Sequence, residues 1–588
     1  MKGPEEKTLP EPVSYSPQRC LGRSRLVSLL AGLGAFALIN GYFRGTEPTV
    51  YYALCSPHGT ANIYTVDPDN TKVQCLVVKD ERFLHTSAYA ELQEKHPGIH
   101  IKFLQHNSIV IPGITDSHVH ALQYGLQKQL PLEGAAGVLD AVAKVRAYIE
   151  SDPAVLNNRS TFIEGWGWDT TKWSTERWPT AAELEADPVT RGRLIALRSK
   201  DAHGCWVSQK ILDIMEPIPE KVDGGVIVRD SSGKPVGVFL DNARDLIPIP
   251  PPTEEVLLKR WDPVVKDAHA VGLTAIHDAL LQPNTIDFFH KQALEGNLAL
   301  RVYGMKYFDD KSPYWGNTTK KIIGAGGDRF TLRSAKFVVD GALRSRGAAL
   351  YEPYSDDPTN RGSMRVEPGT LNKTIPKFLE DGWQCIHAIG DRTNGVVLDA
   401  LGAALEHADV PAIRPRIEHA QIMDHKDIPR LGKTGVIASV QPIHAISDMW
   451  YAEHRLGPER VKRLYAFRSI IDAGARTALG TDFPVEDMRP LATFYAATTR
   501  LSYDGDSPHG RGGWFPEQRM TRLEALRGMT IDPAFASFTE NILGSIEPGK
   551  RADFVVLSKD IMEMPAEEIL KTEVLATVMD GVVVYGKV

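Results

Sequence analysis

The chain has 588 residues, 43% hydrophobic and 24% charged, the balance of a globular protein with a large buried core. A formal net charge of −7 leaves no basic footprint for nucleic acid, and no fixed-period repeat or low-complexity tract interrupts the sequence. The length exceeds one ordinary domain, although a (β/α)8 barrel of roughly 250 to over 400 residues is a single unit.

In chain order, the first feature is an apolar run from Leu26 to Phe43 behind Arg19, Arg23 and Arg25. About 20 apolar residues span a bilayer, and arginines on the N-terminal flank place that flank in the cytoplasm. The expectation is a single-pass anchor at 1–45 with the folded domain luminal or extracellular. A cleaved signal peptide, giving a secreted protein, is the alternative. Sequons at Asn158, Asn317 and Asn372 are compatible with either. The five cysteines (20, 55, 75, 205 and 385) are too scattered for a disulfide framework. Cys55 and Cys75 are expected as unpaired buried thiols, with a pairing left open for an oxidising compartment.

Residues 46–111 read as short strands, as does the C-terminal stretch 546–588, and together they suggest one small β-sandwich built from both chain ends. Between them, over 112–545, apolar strand candidates alternate with helix-length segments, which predicts a parallel α/β architecture. Candidate barrel strands end near His120, Trp166, His277, Asp340, His387, His419, Gln441 and Asp482. A hairpin insertion is expected near 224–243, around Asp-Ser-Ser-Gly-Lys-Pro.

Chemistry-bearing residues sit at the ends of these runs. Ile109-Val-Ile-Pro-Gly-Ile-Thr-Asp-Ser-His-Val-His120 closes with two histidines spaced i, i+2, on one face of an extended strand. Two imidazoles converging at a strand end suit a divalent ion such as zinc, although an isolated H-x-H also arises by chance. Gln384-Cys-Ile-His387, Arg416-Ile-Glu-His419 and Thr477-Ala-Leu-Gly-Thr-Asp482 repeat the pattern. Lys336 lies inside an apolar strand, where an ammonium is costly unless neutralised or paired; a partnership with Asp340 would satisfy it.

These segments resemble the amidohydrolase superfamily, and within it the amidohydrolase-3 family. The matching motifs are Lys336 through Arg346, His387-Ala-Ile-Gly-Asp391, Glu418-His-Ala-Gln421, Leu479-Gly-Thr-Asp-Phe-Pro484 and Gly544 through Leu557. The resemblance implies a TIM-like barrel whose site lies at the C-terminal strand ends. It implies one or two divalent ions, zinc by ligand type, held by His118, His120, Lys336, His387, His419 and Asp482. Lys336 would serve as a bridging carbamate, since a protonated amine has no lone pair. Asp482 would move protons, with Lys336 and His277 completing the catalytic set. Arg344, Arg346, His277 and Trp166 are candidates for substrate contact, and His203 and His444 lie near expected strand ends. The implied activity is hydrolysis of a small-molecule amide or N-acyl amine. A mononuclear deaminase and a catalytically dead scaffold are the alternatives, and a homo-oligomer stays open.

Overall fold

The computed structural model describes residues 50–57, 59–175 and 177–588. The expected tail and anchor at 1–45 lie outside them. Among the described residues, no helix is long and apolar enough to cross a membrane.

Eight parallel strands form the central sheet in strict chain order. They are β1 (Ile114–Val119), β2 (Leu273–Leu281), β3 (Arg301–Tyr307), β4 (Phe330–Val338), β5 (Gln384–Ala388), β6 (Arg416–His419), β7 (Ile437–Val440) and β8 (Thr477–Leu479). Helices between them pack one buried face onto the strands, giving a single extended core. Just beyond β8 the curve closes onto β1, where Asp482 N donates to His118 O at 2.8 Å and His120 N to Phe483 O at 2.8 Å. Asp116 fastens the same seam by accepting from Thr481 N (3.0 Å) and Thr481 Oγ1 (2.6 Å). Gly480 makes this approach sterically feasible, since a Cβ there would lie 2.6 Å from His118 N and 2.9 Å from Asp116 Oδ1.

Two strand expectations are corrected. Phe162–Trp168, expected as a barrel strand, instead belongs to a separate five-stranded sheet inserted between β1 and β2. Its parallel neighbour there is Leu194–Ser199, followed by Gly204–Val207, Pro235–Asp241 and Gly225–Arg229. The last two are the expected hairpin, paired antiparallel. The true third barrel strand is β3, whose Arg301 and Lys306 mask its apolar character. In consequence His277 lies on the second strand and not the third.

Both chain ends do contribute to one sheet. Ile109–Pro112 runs antiparallel to Phe554–Leu557, which pairs with Val574–Met579 and through it with Val582–Gly586. A second sheet of four strands is wholly N-terminal. The two touch where Phe83 meets Phe554 and where Tyr52 Oη donates to Gly581 O. Within the four-stranded sheet, Cys55 and Cys75 are directly opposed on antiparallel strands and form a disulfide. This reverses the expectation of free thiols: the strand register, invisible in the spacing, places the two side chains together.

Candidate metal centre and its cavity

The expected ligands His118, His120, His387, His419 and Asp482 lie together at the C-terminal ends of the barrel strands. Asp482 is their hub. Its Oδ1 lies 3.2 Å from His120 Nε2 and 3.6 Å from His118 Nε2, and its Oδ2 lies 3.8 Å from His444 Nε2. His118, His120 and Asp482 form one group of ligand-capable atoms, and His419, His444 and Asp482 a second. His387 joins through His419, their ring centroids 4.5 Å apart, while the His118 and His419 centroids are 4.8 Å apart. Lys336, buried on β4, lies close enough that its charge disfavours protonation of His118, His387 and His419.

The electrostatics of the cluster favour a cation. Burial is the largest influence on His118, His387 and His419 and holds each imidazole well below its ordinary range, so all three are neutral with a lone pair to offer. Burial alone would push the Asp482 carboxyl up, yet His118 and His120 overcome it and hold the group far below the usual carboxylate range. His118 Nε2, His387 Nε2, His419 Nδ1, His444 Nε2 and Asp482 Oδ1 are buried without a hydrogen-bond partner. Orphaned acceptor-capable atoms gathered in two groups that share Asp482 are what divalent ions with N/O ligands would satisfy. Two of these residues also hold left-handed backbone, His419 at φ 73° and Asp482 at φ 61°. Such strain costs about 1–3 kcal/mol per residue and collects at functional sites.

A buried layer beneath orients the ligands. Glu418, next to His419 on β6, accepts from His118 Nδ1 and is paired with Arg416, all three wholly buried. That bond fixes the His118 tautomer and turns Nε2 toward Asp482. Arg416 also donates to Ser117 O and, at 2.9 Å, to Ser439 Oγ. Asp340 accepts from the backbone N–H of Ala349, Ile389 and Gly390 and from Thr393 Oγ1, and lies 3.7 Å from His387 Nε2. Burial pushes its carboxyl up to about 6.

Above the cluster opens a cavity of about 150 Å³. Trp166 lines it, with the Arg198 guanidinium over its ring, as do His203, Arg344 and Tyr451. Arg344 is an ion-pair bridge, 2.5 Å from Asp169 and 3.3 Å from Asp448. Arg346 is elsewhere: it pairs with Asp356 at 2.9 Å and faces a neighbouring cavity. His277 does not line the site cavity; it is buried inside the barrel, 2.9 Å from Arg416 Nη1 and against the Tyr303 ring. Trp168 and Trp173 pack into the core of the inserted sheet.

A model of the amidohydrolase family matches residues 106–585. The chain belongs to the amidohydrolase family. This family assignment makes it an enzyme of a metal-dependent class. A Bacillus subtilis protein bearing the amidohydrolase name is 29% identical over 89% of this chain and 98% of its own length. The N-substituted formamide deformylase of Arthrobacter pascens is 26% identical, covering 90% of this chain and 97% of its own. Protein LONG AFTER FAR-RED 3 of Arabidopsis thaliana is 28% identical over 96% and 97% respectively. Among solved structures, a metal-dependent hydrolase of Pyrococcus horikoshii superimposes with a TM-score of 0.69 at 24% identity, covering 88% of this chain and 99% of that one. It shares the fold.

Three features of this amidohydrolase site escaped the sequence reading. His444 stands with His419 and Asp482 and not merely near substrate. Glu418 and Arg416 were visible only as flanks of His419, although two opposite charges spaced i, i+2 around Ile417 on a barrel strand are a usable signal of buried pairing. The inserted sheet also supplies Arg198 to the cavity wall, which no local pattern announces, beside Trp166 and His203, which the sequence does single out.

Proposed function

We propose that this enzyme hydrolyses the C–N bond of a small amide, an N-acyl or N-formyl amine, in a centre of one or two divalent ions, with zinc favoured by the nitrogen-rich donor set. The observation that carries the reading is Asp482, a deprotonated carboxylate surrounded by His118, His120 and His444 at the floor of the cavity. His118, His120, His387, His419 and Asp482 would hold the metal, and Lys336, as a carbamate, would add an oxygen ligand. When bound, the metal supplies Lewis acidity, lowering the pKa of water toward about 7 and polarising the scissile carbonyl. Asp482 accepts the proton from the attacking water and delivers it to the departing nitrogen. Glu418 holds the His118 ring in register through the whole cycle. A deaminase mechanism with one ion is the second reading, favoured if Lys336 proves dispensable.

The test combines elemental analysis of purified enzyme with a panel of N-acyl and N-formyl amines. Stoichiometric metal, its loss in the double variant His118→Ala, His120→Ala, and release of free amine are expected. Full metal content in that double variant refutes the centre. Asp482→Asn should lower kcat by roughly 10²–10⁴-fold, the usual contribution of a positioned proton carrier. A Lys336→Ala enzyme of normal activity removes the carbamate.

The reading also places the folded domain outside the cytosol, behind the apolar run at 26–43. The Cys55–Cys75 disulfide supports this, since such bonds persist in oxidising compartments. Full-length protein that fractionates as freely soluble with its N-terminus intact would refute the anchor.

A further inference from the structure

The inserted sheet brings a cluster of guanidiniums to the cavity. Arg198, near the end of Leu194–Ser199, Arg244, just after Pro235–Asp241, and Arg365, in the segment after β4, all line the cavity of about 150 Å³ and an adjoining groove of about 630 Å³. They therefore stand where the two spaces meet. The link to the metal cluster is short. His203, whose ring centroid is 6.1 Å from that of His387, hydrogen-bonds through Nδ1 to Asp241 at 2.7 Å. Arg244 Nε lies 3.4 Å from Asp241 O, and Nη1 donates to Ala202 O.

The carboxylates nearby offset these charges only in part. Asp241 is engaged by His203, and Glu164 sits 2.7 Å from Arg260 but 4.0 Å from Arg198. Asp201 accepts from Ser199 Oγ and from His203 N. Asp245, half exposed to solvent, reaches only 4.0 Å from Arg365, whose Nε is committed to Asn242 Oδ1 at 2.6 Å. Among the described residues, Arg244 has no ion-pair partner. Burial, followed by the charges of Arg365 and Arg198, pulls its guanidinium down to about 10, so it remains a cation at neutral pH. A partly buried cation beside two others is unfavourable unless an anion binds there, and guanidinium forks suit carboxylate and phosphate oxygens.

We infer that the substrate carries an anionic group, a carboxylate or a phosphate, which docks between Arg198, Arg244 and Arg365 while its amide faces Asp482. This inference rests on the amide-hydrolase reading and specifies its substrate class. It assigns the barrel to the chemistry and the inserted sheet to selection of the substrate.

The experiment compares metal-loaded enzyme on N-acetylglycine, N-acetyl-β-alanine, N-acetyl-γ-aminobutyrate and O-phospho-N-acetylethanolamine against neutral N-acetylpropylamine. At least one anionic amide should exceed the neutral one in kcat/KM by roughly tenfold or more, the worth of one hydrogen bond to a charged group. That ratio should collapse toward one in Arg244→Gln and in Arg198→Gln; the second variant alters a more exposed side chain and guards against misfolding of the first. Whichever of carboxylate and phosphate is preferred identifies the natural anion. Equal rates on charged and neutral amides, or a ratio that survives both substitutions, overturns the inference and leaves amide hydrolysis standing. If no amide is cleaved, the amide reading fails. Calorimetric titration with N-acetyl-β-alanine and with O-phospho-N-acetylethanolamine then decides the anion site. Binding of either by wild type that is lost in Arg244→Gln supports it, while no binding of both, or binding retained in that variant, refutes it.

Discussion

Replacing Glu418 by glutamine keeps the shape of the side chain and removes one charge from a place with no access to water. Glu418, Arg416 and His118 are all fully buried. The glutamine carbonyl can still accept from His118 Nδ1, but its NH2 then confronts the Arg416 guanidinium, donor against donor. Arg416 keeps the neutral acceptors Ser117 O and Ser439 Oγ, which do not balance its charge. Breaking a buried pair from one side costs about 3–5 kcal/mol. The second consequence falls on the metal: a neutral amide holds the His118 ring less firmly than the buried carboxylate, and weakening such a partner of a ligating histidine lowers affinity by up to about 10–100-fold. Urea unfolding of metal-free protein reads the first effect, and chelator competition for bound metal reads the second. Ser439→Ala is the control: it removes a single neutral acceptor from Arg416, worth about 1 kcal/mol, and should leave metal affinity near wild type. A Glu418→Gln enzyme that loses stability but keeps wild-type metal affinity would refute the orienting role of Glu418.

Three further outcomes are expected. Gly480→Ala should open the β8–β1 seam, because its Cβ would fall 2.6 Å from His118 N; lowered melting temperature together with metal loss checks this, and full retention of both argues against closure through Gly480. Glu524 caps its helix through Thr521 and pairs with Arg468; although burial pushes its carboxyl up, Arg468 and Thr521 bring it from 4.5 down to about 2. A lowered folded-state value means the stabilisation is complete above about 4.5 and fades as pH falls toward 2, so Glu524→Gln should be less stable than wild type at pH 6 and converge with it on acidification. Removing the Cys55–Cys75 crosslink, which spans 20 residues of sequence, should cost ~3 kcal/mol in the chain-entropy description; an unchanged melting temperature in Cys55→Ser, Cys75→Ser would contradict it.

Much of the architecture was legible because the ligand-bearing residues end apolar runs, and in a parallel barrel all such ends face the same way. His118, His387 and His419 could be placed on strands from the sequence because each closes a short segment that carries an isoleucine: Ile114, Ile386 and Ile417. The strand at Phe162–Trp168 misled for the same reason: an apolar run looks identical in a barrel and in an inserted sheet, and only its partner Leu194–Ser199 distinguishes them. Arg301–Tyr307 was passed over because its charged residues have tertiary partners, Arg301 pairing with Asp553 and Asp580 from the far end of the chain. His277, placed by the sequence at a strand end, sits four residues before the end of a nine-residue strand and so falls below the cavity. Pairing partners that are hundreds of residues away leave no local trace.

The sheet shared by both termini has a bearing on biosynthesis. Ile109–Pro112 leaves the ribosome before any barrel strand, yet its antiparallel neighbour Phe554–Leu557 is made only after all of them. At ordinary elongation speeds, the interval is on the order of tens of seconds. Throughout it the nascent chain carries an apolar strand with one unpaired edge, which is a template for wrong pairing. A stop codon between Asp482 and Phe554 would make that exposure permanent, so chains truncated there, beyond an intact metal centre, should be cleared by quality control and not accumulate as active enzyme.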